Sequence, residues 1–162
     1  MLNSKLLLIL LVIIAILVIL YFLGRKSVHQ EIRINASPEK VWSVLVNTDA
    51  YDSWNPVMKL LEGTVKEGNK VKYRFTQDAE NISEIPSNVK KVMPNQLLNQ
   101  GGGLPFIITF DHQYILEEIN EATKLTIHED YSGLWVNFWN SAPVEAAYGR
   151  LGKAIKKRVE SL

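Results

Sequence analysis

An unbroken apolar run opens at Leu6 and closes at Leu23, reading LLLILLVIIAILVILYFL. As a helix it rises about 27 Å, close to the thickness of a bilayer's hydrocarbon core. A helix buried in a soluble core is usually shorter and carries small or polar positions. A cleavable signal peptide usually has an apolar stretch of about 7–15 residues that ends in small side chains. This run is longer and gives way to Tyr21-Phe22-Leu23-Gly24-Arg25-Lys26, with no A-x-A pattern. The expectation is a retained single-pass membrane anchor, with Tyr21 and Phe22 at the interface and Arg25 and Lys26 among the headgroups. The bilayer is thus the first expected partner. Lys5 and the terminal amine precede the run, whereas Arg25, Lys26, Arg33 and Lys40 follow it, a balance that tips the globular part toward the cytoplasmic side.

The run also accounts for a composition that otherwise looks ordinary. The chain has 162 residues, 47% of them apolar, and a net charge of +1. Without the run about 40% is still apolar, enough for one compact core and too much for a disordered or collagen-like chain. Lys5 is the only charged side chain before Arg25, so the remainder balances its 17 acidic residues with an equal number of basic ones. A surface without excess cations argues against a nucleic-acid partner. Cysteine is absent, which excludes disulfides, thiolate catalysis and thiolate zinc sites. Asn81-Ile82-Ser83 matches a glycosylation sequon, which matters only in a eukaryotic lumenal domain. The expected division is an anchor with a juxtamembrane linker over residues 1–29 and one folded domain over 30–162.

Within that domain, residues 30–36 alternate, with Ile32 and Ile34 on one face of a half-buried strand. Ser37-Pro38-Glu39 starts a helix: a capping hydroxyl, a proline suited to the first turn and a carboxylate that complements the dipole. Val41, Val44 and Leu45 form its apolar stripe, and the turn-rich segment DAYDSWNP follows. Strand patterns recur over residues 70–76, 88–93, 96–100, 107–118 and 123–131, with Gly101-Gly102-Gly103-Leu104-Pro105 read as a loop. The last two strands lie about four residues apart, a hairpin spacing. Val144, Ala147, Tyr148, Leu151, Ile155 and Val159 then recur at helical steps to the end. A helix, several antiparallel strands and a long terminal helix predict an α+β fold with the last helix laid across a curved sheet.

Several ordered blocks carry a family likeness. Residues 34–42 (INASPEKVW), Tyr51-Asp52-Ser53-Trp54-Asn55-Pro56, Phe110-Asp111-His112-Gln113-Tyr114 and residues 123–134 (TKLTIHEDYSGL) resemble the START-like, birch-pollen-allergen-like SRPBCC superfamily in its polyketide cyclase/dehydrase-type branch. The likeness spans about residues 30–160. It implies a helix-grip fold, in which a curved antiparallel sheet wraps the terminal helix around an apolar cavity. It also implies apolar ligands such as lipids, sterols or polyketides, with cyclase, aromatase or hydrolase activity in some members. No shared catalytic residue carries over. Asp111 stands where the branch often has Glu or Gly, and Trp135-Val136-Asn137-Phe138-Trp139 is unusually aromatic.

Strand parity predicts a site. In residues 107–118 the even positions Ile108, Phe110, His112, Tyr114 and Leu116 face inward, and in 123–131 the odd positions Leu125, Ile127, Glu129 and Tyr131 do. If Glu118 pairs with Thr123, His112 lies opposite Glu129, Tyr114 opposite Ile127 and Phe110 opposite Tyr131, close enough for hydrogen bonding. Two ionisable groups would then share an apolar, aromatic face. They are read as a satisfied structural pair, as the polar anchor for a ligand headgroup, or as a general acid/base pair. Phe75, Trp54 and Tyr148 complete the candidate ligand-binding set, with Trp135 and Trp139 as further aromatic candidates for pocket or core.

Three histidines, with His29 near the anchor and His128 facing outward, predict no zinc site, and no cofactor motif is present. Three functions compete: membrane-anchored binding of a hydrophobic small molecule or lipid, a cyclase-, dehydrase- or hydrolase-type enzyme, and a non-catalytic interaction module with a filled interior.

Overall fold

A computed structural model describes residues 3–162; the terminal amine weighed above lies outside them. Helix α1 spans Ser4–Leu23, capped by the Asn3 side chain, which accepts from the Lys5 amide at 3.2 Å. None of its residues is buried, and it is long and apolar enough to cross a membrane. The chain then forms β1 (Arg25–Ile34), α2 (Pro38–Val46), a 3-10 segment (Thr48–Ser53), β2 (Met58–Glu62), β3 (Lys70–Thr76), β4 (Ile82–Met93), β5 (Leu97–Leu104), β6 (Ile108–Ile119), β7 (Ala122–Ser132), a second 3-10 segment (Leu134–Asn137) and α3 (Ala142–Glu160). The fold is α+β: one seven-stranded antiparallel sheet in the order β1-β7-β6-β5-β4-β3-β2, gripping α3.

The strand nearest α1 begins earlier than its alternation suggested. Residues 25–29, expected as a linker, are paired strand, with Arg25 opposite Ser132 and Val28 opposite Glu129. Lys26 and Gln30 occupy inward positions on either side of Val28, so uninterrupted apolar alternation begins only at Ile32. Gly24 alone joins α1 to β1.

The glycine run is also strand rather than loop. Gly101, Gly102 and Gly103 belong to β5 and pair with Asp111, Phe110 and Thr109. A Cβ on Gly102 would stand 3.0 Å from two ring carbons of Phe110 and 2.5 Å from the Pro86 carbonyl oxygen. The aromatic ring thus covers the bare glycine backbone. Proline obscured β4 in the same way, because Pro86 sits within it opposite Lys72. β2 carried no readable pattern of its own.

The β6–β7 hairpin is tighter than expected. Both strands extend until Ile119 pairs with Ala122, leaving Asn120 and Glu121 as a two-residue turn with φ of 48° and 60°. Positive φ at both central positions matches the right-handed twist of the flanking strands. Glu118 pairs with Thr123, which sets His112 opposite Glu129.

Helix α3 buries the stripe Val144, Ala147, Tyr148, Leu151, Gly152, Ile155 and Val159. It packs against β1 and α2. The core beneath it joins Val28, Ile34, Val41, Leu45, Leu125 and Ile127. Each such side chain contributes about 1.5–3 kcal/mol by leaving water.

Candidate functional site

β6 and β7 bring His112, Tyr114, Glu129 and Tyr131 to the inner sheet face, and α3 lowers Tyr148 onto them. His112 and Glu129 are 5% and 4% exposed. The carboxylate is well served: its Oε2 accepts from the Tyr131 hydroxyl at 2.6 Å and from the Tyr148 hydroxyl. Burial, followed by the Glu129 charge, pushes both phenols above their ordinary range, so they stay protonated donors.

The imidazole is not served. His112 Nδ1 lies 3.7 Å from Glu129 Oε2, within ion-pair reach but beyond a hydrogen bond. Among the described residues neither ring nitrogen has a hydrogen-bond partner. The expected His112–Glu129 hydrogen bond is therefore not formed, because two tyrosines from neighbouring positions take the carboxylate oxygen. The ring instead stands edge-on to Tyr114 and Tyr148, with centroids 4.6 Å and 5.2 Å away. An unpaired buried polar group costs about 1–3 kcal/mol; among the described residues only Asn55, through Nδ2, shares this condition with the histidine.

The other residues singled out from sequence divide into two groups. Phe75 is buried and meets Tyr148 edge-on at 6.1 Å, joining the cluster. Phe110 covers Gly102 and lies opposite Tyr131, and Trp54 packs on Tyr51 at 5.1 Å; neither side chain bonds the carboxylate. Trp139 packs on Tyr131 at 4.5 Å, whereas Trp135 is exposed. Sequence reading passed over a second polar pair, in which Gln100 Nε2 donates to the Tyr73 hydroxyl at 3.1 Å. Burial pushes the Tyr73 phenol up to about 12. Its inward position was visible in the Val71–Tyr73–Phe75 alternation, while Gln100 was hidden at the edge of the glycine run.

A seam of about 140 Å³ runs between β1 and α3, lined by Gln30, Ile32, Ile127, Tyr148, Gly149 and Gly152 among others. A larger trough of about 670 Å³ crosses the sheet at the glycine run, lined by Ser27, Lys90, Phe110, Asp111, Asp130 and Tyr131 among others. Several of its polar side chains engage one another: Lys90 pairs with Asp111, and Ser27 Oγ donates to Asp130 at 2.6 Å. Among the described residues no group of three His, Asp or Glu side chains is placed to hold a metal ion.

A seven-stranded antiparallel sheet closed on a long terminal helix, with a polar cluster buried between them, defines the helix-grip class. Residues 25–162 match the family model described as polyketide cyclase / dehydrase and lipid transport. The chain belongs to that family, within the SRPBCC superfamily. No curated protein matches it in sequence. Solved structures share the fold. Ara h 8.0201 superposes with a TM-score of 0.66 at 14% identity, over 85% of this chain and 99% of that one. The Zhui aromatase/cyclase from Streptomyces sp. R1128 gives 0.67 at 16% identity, over 84% and 94%. Protein CV1439 from Chromobacterium violaceum gives 0.68 at 15% identity, over 83% and 96%.

Proposed function

We propose that this chain is a membrane-anchored binding protein for a hydrophobic small molecule or lipid. The molecule enters between α3 and the sheet and sets its polar end against His112, Glu129, Tyr131 and Tyr148. The observation that carries the reading is His112: deeply buried, with both ring nitrogens unpartnered among the described residues, on a face of aromatic and aliphatic side chains. A ligand hydroxyl or carbonyl would give that imidazole the partner the protein withholds. Family membership, whose description includes lipid transport, supports the same reading. So does α1, a helix with no buried residue that would hold the domain beside a lipid reservoir.

The seam of about 140 Å³ is smaller than a usual ligand pocket of about 300–1,000 Å³. Uptake therefore moves α3 away from β1, along the line where Gly149 and Gly152 leave the packing thin.

A titration of the full-length protein with an anthroyloxy-labelled fatty acid tests the reading. Saturable binding is expected, weakened about tenfold by His112→Phe, the equivalent of about 1.4 kcal/mol. Absence of saturable binding, or equal affinity in the variant, would overturn it. A cyclase- or dehydrase-type reaction draws on the same group, since a carboxylate held by two phenols beside an imidazole can relay a proton. Retained probe binding in His112→Ala with loss of turnover would favour that second reading.

A further inference from the structure

The end of α1 is locked to the domain. Asn137 Nδ2 donates to the Leu20 carbonyl at 2.7 Å, the Gly133 amide donates to the Gly24 carbonyl at 2.9 Å, and the Tyr21 ring lies 5.7 Å from that of Phe106. Lys26 Nζ donates to the Trp139 carbonyl. Around this junction the domain exposes large apolar side chains: Leu104 at 62%, Phe106 at 68%, Trp135 at 56% and Phe138 at 70%. They come from the end of β5 with the β5–β6 turn and from the 3-10 segment Leu134–Asn137 with its cap Phe138, two neighbouring stretches in which the Leu134 and Trp135 amides bond the Phe106 and Ile107 carbonyls.

We propose that this patch is a second membrane contact, a rim of the domain seated in the interfacial layer of the same bilayer that α1 spans. The inference rests on reading α1 as a membrane span and adds the domain's orientation to it. Leu20 lies three residues before the helix end, about 4.5 Å along its axis. Whatever bonds to Leu20 is held at the depth of the last helical turn. A helix of 20 residues is about 30 Å long, matching the hydrocarbon core, so that turn lies at its boundary. Lifting the patch into water would draw Leu20–Leu23 out with it and leave the span short. Trp beside an anchor end is a side chain this layer favours, and Phe and Leu bury into its acyl boundary. The exposed apolar area is continuous with the helix and needs no separate partner. Seated this way, β1 rises from the surface, and Glu129, opposite Val28, lies about 13 Å along the strand from Gly24.

The absence of cysteine makes the test direct. Single variants Ile14→Cys, Phe106→Cys, Phe138→Cys and Glu118→Cys of the full-length chain carry an environment-sensitive fluorophore in phosphatidylcholine vesicles, with brominated acyl chains as quencher. Quenching at Phe106 and Phe138 is expected to approach that at Ile14 and to exceed that at Glu118, near the opposite end of β6, several-fold. If Ile14 is quenched while Phe106 and Phe138 behave like Glu118, the anchor stands and the rim contact is wrong. If Ile14 is not quenched, the spanning helix itself is wrong and the inference falls with it.

Discussion

The Tyr148 hydroxyl of α3 donates to Glu129 Oε2 of β7. Through this one bond the terminal helix is tied to the buried carboxylate on the sheet, and any movement that opens the interior must break or bend it. The Tyr131 hydroxyl holds the same oxygen at 2.6 Å, so the carboxylate keeps one donor when the helix departs.

Replacing Tyr148 by Phe therefore removes one of two charge-assisted hydrogen bonds and little volume. Destabilisation of about 1–3 kcal/mol is expected. Urea unfolding of the full-length protein in detergent measures it, and Tyr131→Phe, which leaves the helix contact intact, should keep α3 docked.

A different response follows from Gly152, on the face α3 turns to β1. A Cβ there would meet Ile32 Cγ2 at 3.6 Å and Ile127 Cδ1 at 3.8 Å, ordinary contacts with no clash. Gly152→Ala should stabilise the protein by up to about 1 kcal/mol, because alanine is the better helix former and restricts the unfolded chain. If the seam is the entry, the same change slows uptake of the labelled fatty acid in stopped-flow mixing.

At Gly24 the outcome is opposite. A Cβ would stand 2.0 Å from the Gly133 carbonyl oxygen, a backbone atom that cannot step aside, and 2.9 Å from Asn137 Nδ2. Gly24→Ala should part α1 from the second 3-10 segment and free the start of β1. Trypsin cleavage after Arg25 and Lys26 is expected to quicken several-fold, while the domain's circular dichroism is retained.

The buried phenols set an alkaline limit. Burial, opposed by the Gln100 hydrogen bond, raises Tyr73 from 10.0 to about 12, and burial with neighbouring charge raises Tyr114 and Tyr148 well above 10.0. Folded phenols then keep protons that unfolded ones lose, so their contribution is whole below pH 10.0 and declines above it. For Tyr73 the decline runs from pH 10.0 to about 12. Melting temperatures across that window should fall, and phenolate absorbance of these residues should rise with unfolding rather than before it.

The inner face was largely legible before the fold was known. Alternation in β6 and β7 set which side chains point inward, and hairpin closure set the register that opposes His112 to Glu129. Both are local properties of a strand. Tyr148 was legible only as part of a helical stripe, because the partner of a hydroxyl depends on how far α3 descends onto the sheet. The diversion of Glu129 to two tyrosines, which leaves His112 alone, is a competition among three side chains that no spacing encodes. The first half of β1 was hidden by Lys26 and Gln30 at inward positions. The second half of β5 was hidden by glycines whose strand conformation is supported by the Phe110 ring.

Occupancy of the interior is tested most directly by organic extraction of the full-length protein purified from its own membrane, followed by mass spectrometry of the extract. One apolar species, enriched over the bulk membrane lipid and depleted in His112→Phe, is the expected result. An extract that matches bulk lipid in both proteins would contradict a binding function for this fold.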